Sequence, residues 1–241
     1  MNIQDKSRYH EVHARSLADP EAFWGEVAKE IDWIEPAEKI FDPSQGLYGR
    51  WFAGAKVNTC YNALDRHVAR GRADQVALIH DSPLTGTIST FTYAEMLREV
   101  QALAAIMQDF GVVKGDRVIL YMPMVPESMV AMLACARIGA VHSVVFGGFA
   151  AKELATRIDD AKPKVIVSAS CGIEGARVIA YKPLLDDAIN LARHKPSACL
   201  ILQRPQVKAE LTPGRDHDWQ TTWDDAVVWA KNVLEPVALK A

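Results

Sequence analysis

Beyond residue 110, short runs of consecutive apolar residues alternate with segments of helical periodicity. The runs are VILYM at 118–122, HSVVF at 142–146, KVIVS at 164–168 and ACLIL at 198–202. Runs of this kind are typical of strands that are buried on both faces. Because they alternate with helices, they predict an α/β fold in which a mainly parallel sheet is covered by helices on both faces.

The same pattern gives the bounds of the elements. A turn at Pro83–Gly86 between two strand-like runs predicts a hairpin over 77–92. Thr92 followed by Glu95 forms the capping box of a helix over 93–109. Further strands are predicted at 117–122, 141–146, 164–168 and 198–202, and further helices at 126–138, 151–161, 183–193 and 221–234.

The first part of the chain has a different pattern. It predicts two helices, 8–16 and 21–32, and an aromatic, irregular stretch that follows them. We expect the rings of that stretch to anchor it on a domain surface, with another helix beginning near Asn62. The predicted organisation is a helical and irregular N-terminal extension over 1–75 and an α/β subdomain over 76–241.

Composition and charge exclude several classes of function. The 241 residues are 49% hydrophobic, which favours a globular protein with a core. Their net charge of −3 gives no electrostatic reason to expect nucleic acid or an anionic membrane as a partner. The apolar run 129–146 is interrupted by charged and glycine residues, and the N-terminus lacks a signal-peptide core. Four widely spaced cysteines give no zinc or redox motif. We expect a soluble, cytoplasmic protein with reduced thiols.

Two loops that follow strands are candidates for ligand binding. Gly147-Gly148 ends one strand and is either a tight connection or a turn that lets an extended ligand approach the backbone. The stretch 170–183 follows the next strand, and its Arg177 is either a phosphate ligand or a solvated side chain. Both loops leave the carboxyl ends of strands, where parallel sheets bind ligands.

Other residue types predict no complete catalytic site. The sequence contains no phosphate loop with lysine, no dinucleotide-binding glycine motif, no nucleophile elbow and no zinc-protease motif. His142 lies in an apolar strand and is expected to be a core histidine. Asp159-Asp160 is expected to be a solvated helix end, so no metal site is predicted.

Several blocks together closely resemble a known family. They are PEAFWGEVAKEIDW, WFAGAKVNTCYNALDRH, GDRVILYMPMVPE and ARIGAVHSVVFGGFAAKELATRIDDAKPKVIV. The chain resembles the N-terminal part of AMP-forming short-chain acyl-CoA synthetases, a group of the adenylate-forming superfamily. Within that group, NTCYNALDRH, ALIHDSPLTGT and SCGIEGARV are more similar to propionyl-CoA than to acetyl-CoA synthetases.

The resemblance implies an acid–thiol ligase. In such an enzyme a short-chain carboxylate, propionate or acetate, attacks ATP with Mg²⁺ assistance to give acyl-AMP, and the coenzyme A thiol then displaces AMP. It also implies that the chain is an incomplete large N-terminal domain. The ATP and carboxylate sites would lie in a missing C-terminal portion of the same protein, so the chain alone is expected to be inactive and to hold no cofactor tightly.

The resemblance also implies which residues face coenzyme A. Phe146, Gly147 and Gly148 match residues that border the channel for the pantetheine arm. The segment Glu174, Gly175, Ala176 and Arg177 matches the family's contact with the nucleotide end. Acetyl-CoA synthetases typically have Arg-x-Gly-Arg there, so only the last arginine is kept, and Arg177 is the expected phosphate contact.

Two other readings remain open from the sequence. The chain could be a naturally short α/β module that binds a coenzyme A-like ligand or a protein partner without catalysis. It could also be a small complete enzyme that uses His142 or Asp116, although no spacing in the sequence supports this. The choice between propionate and acetate is not encoded in these residues.

Overall fold

The computed structural model describes residues 7–229 and 236–240. The chain divides into two compact units, Met1–Asn58 with Ala238–Ala241, and Thr59–Val237. The predicted boundary between residues 75 and 76 falls inside the second unit. The helical turns at Tyr61–Asp65 belong to that unit because Asp65 pairs with Arg137 there.

The N-terminal unit begins with two helices, α1 (Tyr9–Ala18) and α2 (Pro20–Val27), as predicted. The second helix ends before residue 32, where the sequence predicted its end, and a short 3-10 turn follows at Ala28–Glu30. The side chain of Asp19 caps α2 by accepting a hydrogen bond from the Ala22 backbone N–H at 3.0 Å. Pro20 occupies the first turn of this helix, where its missing N–H costs nothing. Asp19 and Pro20 therefore determine where this helix begins.

The aromatic stretch forms short strands rather than an irregular segment. Strands β1 (Lys39–Asp42) and β2 (Arg50–Ala53) pair antiparallel, and β3 (Lys56–Val57) pairs with Leu239–Lys240. Rings from several elements contact one another, with centroid distances of 4.8 Å for Phe41 and Trp51 and 5.4 Å for Trp33 and Phe52. These contacts give the unit a small aromatic cluster.

The second unit continues with a hairpin and a long helix. Strands β4 (Val76–Ser82) and β5 (Thr87–Thr92) pair antiparallel, as predicted. Helix α3 (Tyr93–Asp109) begins with the predicted capping box. The Glu95 carboxylate accepts from the Thr92 backbone N–H at 2.8 Å, and the Thr92 hydroxyl oxygen accepts from the Glu95 N–H at 3.2 Å.

The remaining elements follow in alternation, and most agree with the sequence prediction. They are β6 (Arg117–Met122), α4 (Pro126–Ile138), β7 (Val141–Phe146), α5 (Ala151–Ala161), β8 (Val165–Ala169), β9 (Cys171–Glu174), β10 (Arg177–Ala180), α6 (Tyr181–Leu191), β11 (Ala198–Leu202), β12 (Asp216–Asp218) and α7 (Trp219–Trp229). The last helix was predicted to reach residue 234, which lies outside the described residues.

Five strands form one parallel sheet in the order β7-β6-β8-β11-β12. This arrangement confirms the predicted parallel α/β class. The strand β12 was not predicted, because its sequence, DHD, is short and polar. The stretch 170–183 was treated as a loop, but most of it is the antiparallel hairpin β9–β10 followed by the start of α6.

Each face of the sheet carries its own hydrophobic core. Val118 and Leu120 of β6 pack on one face with α3, α4 and α7, whereas Ile119 and Tyr121 pack on the other with α5 and α6. All four side chains are at most 1% exposed. Helices therefore cover both faces of the central strand, as the apolar run predicted.

One of the predicted buried strands lies at the edge of the sheet. In β7 the side chains of Val141, Val144 and Phe146 are 54%, 56% and 66% exposed. The expectation that HSVVF is buried on both faces is therefore wrong. His142 is also exposed, so it is not a core histidine. An apolar run by itself does not show whether a strand has one neighbour or two.

Four charged side chains form an ion cluster between α6 and β12. Lys182 Nζ lies 2.6 Å from a carboxylate oxygen of Asp186 and 2.9 Å from one of Asp216. Arg215 pairs with both aspartates. The side chain of Asp216 is fully buried and that of Lys182 is 5% exposed. The cluster contains two positive and two negative charges, so its net charge is zero.

The described residues have two further properties that bear on the sequence expectations. All four cysteines are buried and unpaired, and burial raises the pKa of Cys60 to about 11 and those of Cys135 and Cys199 to about 12. Thiols of this kind are unreactive near neutral pH.

No helix among the described residues is long and apolar enough to cross a membrane.

We predict that Asp216→Asn lowers the free energy of unfolding by about 3 kcal/mol, because it leaves Lys182 and Arg215 partly uncompensated in a buried site. Urea denaturation measures the loss. The matched control is Asp187→Asn, which changes an exposed aspartate of the same helix as Asp186. An equal loss in both variants would contradict a special role for the buried carboxylate.

The same carboxylate predicts a dependence of stability on pH. Burial opposes its ionisation, but hydrogen bonds from Arg215 and Lys182 outweigh burial and lower the pKa of Asp216 from 3.8 to about 2. A depressed pKa stabilises the fold above the unfolded value, and this stabilisation is lost as the pH falls through the folded value. We therefore expect the difference between wild type and Asp216→Asn to shrink between about pH 4 and pH 2.

Candidate functional site

The sheet topology points to one end of the sheet as the place for a ligand. The chain leaves β6 to form β7 on one side, and β8 then returns to the other side of β6. The five strands in chain order thus take the positions 2-1-3-4-5, which place a switch point between β6 and β8. Ligands of open parallel sheets bind beyond the carboxyl ends of the strands at such a point.

A cavity of about 270 Å³ lies at these carboxyl ends. Its wall is mainly apolar, and its polar groups include the side chains of Glu174, Tyr181 and Arg204. The apolar part comes from the ends of β6 and β7 and from neighbouring turns, and it includes Leu84, Met122, Pro123, Met124, Val144, Phe146 and Ile173. The cavity suits an extended, mostly uncharged ligand segment with a few polar atoms.

Tyr121, the second-to-last residue of β6, holds the glycine turn that follows β7. Its hydroxyl oxygen accepts a hydrogen bond from the Gly148 N–H at 3.1 Å and donates one to the Phe149 carbonyl at 3.0 Å. Gly148 has a φ of +94°, a conformation that side chains disfavour. The turn is thus shaped by a glycine and fastened to the central strand.

The ring of Tyr181 explains why two other positions are glycines. A Cβ built on Gly147 would lie 2.4 Å from the Tyr181 hydroxyl, and one built on Gly172 would lie 2.1 Å from it. Both distances are far inside van der Waals contact. The Tyr181 ring therefore occupies the space where a side chain at Gly147 would lie. It also packs against the Tyr121 ring, with centroids 5.1 Å apart.

The predicted nucleotide-facing segment forms the tip of the hairpin β9–β10. Gly175 at this tip has a φ of +58°, which a turn of this kind requires. Glu174 lines the cavity, and its carboxylate lies 3.0 Å from the point where a Cβ on Gly148 would stand. Arg177 is exposed on the adjacent strand and is not among the described residues that line the cavity.

The structure therefore brings together some of the predicted residues and adds others. Phe146, Gly147 and Glu174 line one cavity, whereas Arg177 and Ala176 lie outside its wall. Sequence reasoning missed Tyr121, Tyr181 and Arg204. A tyrosine at the end of an otherwise aliphatic strand was the one signal that could have pointed to Tyr121.

Arg204 is the cationic side chain that lines the cavity. Its guanidinium donates to the Cys171 carbonyl at 3.2 Å, and its backbone N–H donates to the Ser170 hydroxyl at 2.8 Å. Both contacts fix the residue at the end of β8, so the guanidinium has a defined place. It can donate further hydrogen bonds to a ligand because a guanidinium has five N–H groups.

The protonation states limit the chemistry of this site. Burial raises the pKa of Tyr121, and it raises that of Tyr181 to about 12. Both hydroxyls are therefore neutral near pH 7 and serve as hydrogen-bonding groups rather than as bases. Among the described residues no group of three histidine, cysteine or acidic side chains could hold a metal ion. The arrangement can bind and orient a ligand.

Comparisons with known proteins agree with this architecture. The model of the family "AMP-binding enzyme" matches residues 64–237, and that of the "Acetyl-coenzyme A synthetase N-terminus" matches residues 9–63. The fold is similar to that of acetoacetyl-CoA synthetase from Streptomyces lividans, with a TM-score of 0.80 at 24% identity over 98% of this chain and 35% of that one.

Curated relatives are similar in sequence. The human mitochondrial acyl-CoA synthetase short-chain family member 3 is 50% identical over 88% of this chain and 31% of its own length. The propionate–CoA ligase of Salmonella typhimurium is 46% identical over 88% of this chain and 34% of its own length. The chain spans about a third of the length of the curated relatives that it matches.

We predict that Gly172→Ala destabilises the second unit by about 2 kcal/mol, because the new methyl group collides with the Tyr181 ring. Thermal or urea unfolding measures the loss. In a Tyr181→Leu background the same substitution should cost less, since the colliding ring is gone, and a double-mutant cycle gives the coupling. Equal costs in the two backgrounds would show that the ring contact is not the cause.

Proposed function

Because the chain belongs to the family of AMP-binding enzymes, we propose that it forms the coenzyme A-facing part of an acid–thiol ligase. The substrates of that ligase are ATP, coenzyme A and a short-chain carboxylate, propionate or acetate. The carboxylate displaces pyrophosphate from the ATP α-phosphate, which gives an acyl-adenylate. The coenzyme A sulfur then attacks the acyl carbon and AMP leaves.

The observation that supports this assignment is the cavity at the carboxyl ends of β6 and β7. It is mainly apolar, and the polar groups of Glu174 and Arg204 lie on its wall. A pantetheine arm has the same character, because its methylene and gem-dimethyl groups alternate with two amides. The cavity would bind this arm, exclude water around it and orient the thiol.

The hairpin tip is the proposed contact for the nucleotide end. Arg177 is exposed beside the tip and can form charge-assisted hydrogen bonds to a phosphate. Glu174 lines the cavity, although the residue is also exposed at the tip. In this proposal Glu174 accepts hydrogen bonds from the arm, and Arg177 binds the phosphates.

The adenylation step is proposed to use residues outside this chain. The relatives are about three times as long as the region that matches them. We assign Mg²⁺ and the ATP phosphates to parts of the enzyme outside this chain, as the resemblance to short-chain acyl-CoA synthetases implies.

We also propose a cytoplasmic location, with small molecules rather than nucleic acid or a membrane as partners. The net charge of −3 supports the choice of partners, since it gives no net attraction to an anionic polymer. Five similar mammalian relatives are named as mitochondrial, so the test must separate mitochondria from cytosol. Fractionation of cells that express the chain, followed by immunoblotting, tests the location.

The first test is direct binding of coenzyme A to the chain, measured by isothermal titration calorimetry. Arg177→Ala should weaken coenzyme A binding about tenfold, because it removes charge-assisted bonds to phosphate. It should leave the binding of pantetheine unchanged, since pantetheine carries no phosphate. Arg193→Ala is the matched control, because the side chain of Arg193 is 93% exposed.

Two outcomes would contradict the assignment. If the wild-type chain binds neither coenzyme A nor pantetheine, even at ligand concentrations high enough to detect weak binding, the cavity is not an arm-binding site. If Arg177→Ala binds coenzyme A as tightly as the wild type does, Arg177 is not the phosphate contact. A loss with Arg193→Ala as large as that with Arg177→Ala would show a general effect of surface charge.

A second test concerns adenylation. With propionate, ATP and Mg²⁺, the chain alone should release no pyrophosphate above a protein-free blank in an enzyme-coupled assay. The propionate–CoA ligase of Salmonella typhimurium serves as the positive control. Pyrophosphate release by the chain would show that adenylation residues are present in it. It would overturn the proposal that adenylation uses residues outside this chain.

A further inference from the structure

We propose that Tyr121 is a positioning residue for the coenzyme A arm and acts through the hydroxyl that fastens the glycine turn. The inference rests on the proposed function, because it concerns the ligand assigned to that cavity. Tyr121 itself is not among the described residues that line the cavity, whereas Phe146 and Gly147 of the turn are. Its effect on the ligand is therefore indirect.

The Tyr121 hydroxyl forms two hydrogen bonds with the turn. A phenolic hydroxyl has one proton to donate and lone pairs with which to accept. Tyr121 uses both, since it accepts from Gly148 at 3.1 Å and donates to the Phe149 carbonyl at 3.0 Å. A single side chain thus bonds to the N–H of Gly148 and to the carbonyl of Phe149, and it restrains the orientation of the turn.

Tyr121 itself is held firmly in the sheet. Tyr121 lies in the central strand of the sheet, and its side chain is completely buried. The Ser168 hydroxyl donates to the Tyr121 carbonyl at 2.9 Å and joins β8 to the same residue. The Tyr181 ring packs against the Tyr121 ring. Because its backbone and ring are both held, the hydroxyl is a fixed point.

The turn that Tyr121 fastens follows an edge strand. Among the described residues, β7 pairs in the sheet with β6 alone. Phe146 is 66% exposed, and its ring contacts Phe149 with centroids 5.7 Å apart. Gly148 brings conformational freedom that other residues lack. Without the Tyr121 bonds, the turn should sample conformations in which its wall of the cavity is displaced.

Protonation is consistent with this role. Burial is the main reason that the pKa of Tyr121 is raised, and the nearby Glu174 carboxylate acts in the same direction. The hydroxyl therefore keeps the proton that it donates to Phe149 throughout the physiological range. An ionised oxygen could accept from Gly148 but could not bond to a carbonyl.

The test is Tyr121→Phe, which removes only the hydroxyl and keeps the buried ring. We expect this variant to bind coenzyme A and pantetheine about tenfold more weakly, by the same factor for both, because the arm is common to them. Hydrogen exchange of the Gly148 amide, followed by NMR, should be faster in the variant. Tyr93→Phe is the control, since it removes a tyrosine hydroxyl of the same unit outside the cavity.

The possible results separate the inference from the function on which it rests. If the wild type binds neither ligand, the proposed function fails. If it binds both and Tyr121→Phe binds them equally well, the function stands and the positioning role is wrong. A loss for coenzyme A without a loss for pantetheine would also overturn the role. An equal loss in Tyr93→Phe would show that the hydroxyl acts through general stability alone.

Discussion

The central strand of the sheet must bury both of its faces, and most of the second unit follows from that requirement. Neighbouring side chains of β6 point to opposite faces, so Leu120 and Tyr121 belong to different cores. Neither core is complete without helices, and the chain supplies α3, α4 and α7 to one face and α5 and α6 to the other. Parallel strands need such crossover helices in any case.

Two sets of buried charges contribute to this packing, the ion cluster at Lys182 and the pair formed by Arg137 and Asp65. Arg137 of α4 is completely buried, and its guanidinium forms two hydrogen bonds with Asp65, at 2.8 and 3.0 Å. The pair joins the helical turns at Tyr61–Asp65 to α4. Buried pairs of this kind add little net stability compared with apolar packing, but the loss of one partner is costly. The pair therefore disfavours arrangements that separate these helical turns from α4, because Arg137 would then be buried without its partner.

The candidate site arises where the two-sided burial ends. At the carboxyl ends of the strands, Tyr121 still lies in the core, but its hydroxyl reaches the backbone of the glycine turn. Tyr181 fills the space that Gly147 and Gly172 leave open. The tight packing of the core thus extends to the ligand-facing edge. Gly147 and Gly172 allow this packing because they leave room for the Tyr181 ring, and the cavity lies next to it.

The sequence supported much of the fold because several local signals do not depend on distant residues. Caps such as that formed by Thr92 and Glu95 involve neighbours along the chain, and the predicted bond was found. For the site, the sequence predicted the glycine turn and the hairpin tip as ligand contacts, and this stays a prediction. The sequence did not indicate that Arg204 lines the cavity, because the contacts of Arg204 to Ser170 and Cys171 span more than thirty residues.

By itself, the sequence determined the α/β class, the helices and strands of the second unit except β9, β10 and β12, and the resemblance to short-chain acyl-CoA synthetases. An apolar run is a local property, and it reports that a segment is suited to burial. Only the tertiary structure decided that β7 is an exposed edge, that β12 completes the sheet, and that Tyr181 occupies the space beside two glycines. These features depend on which segments become neighbours in space, and that depends on all strands and helices packing together at once.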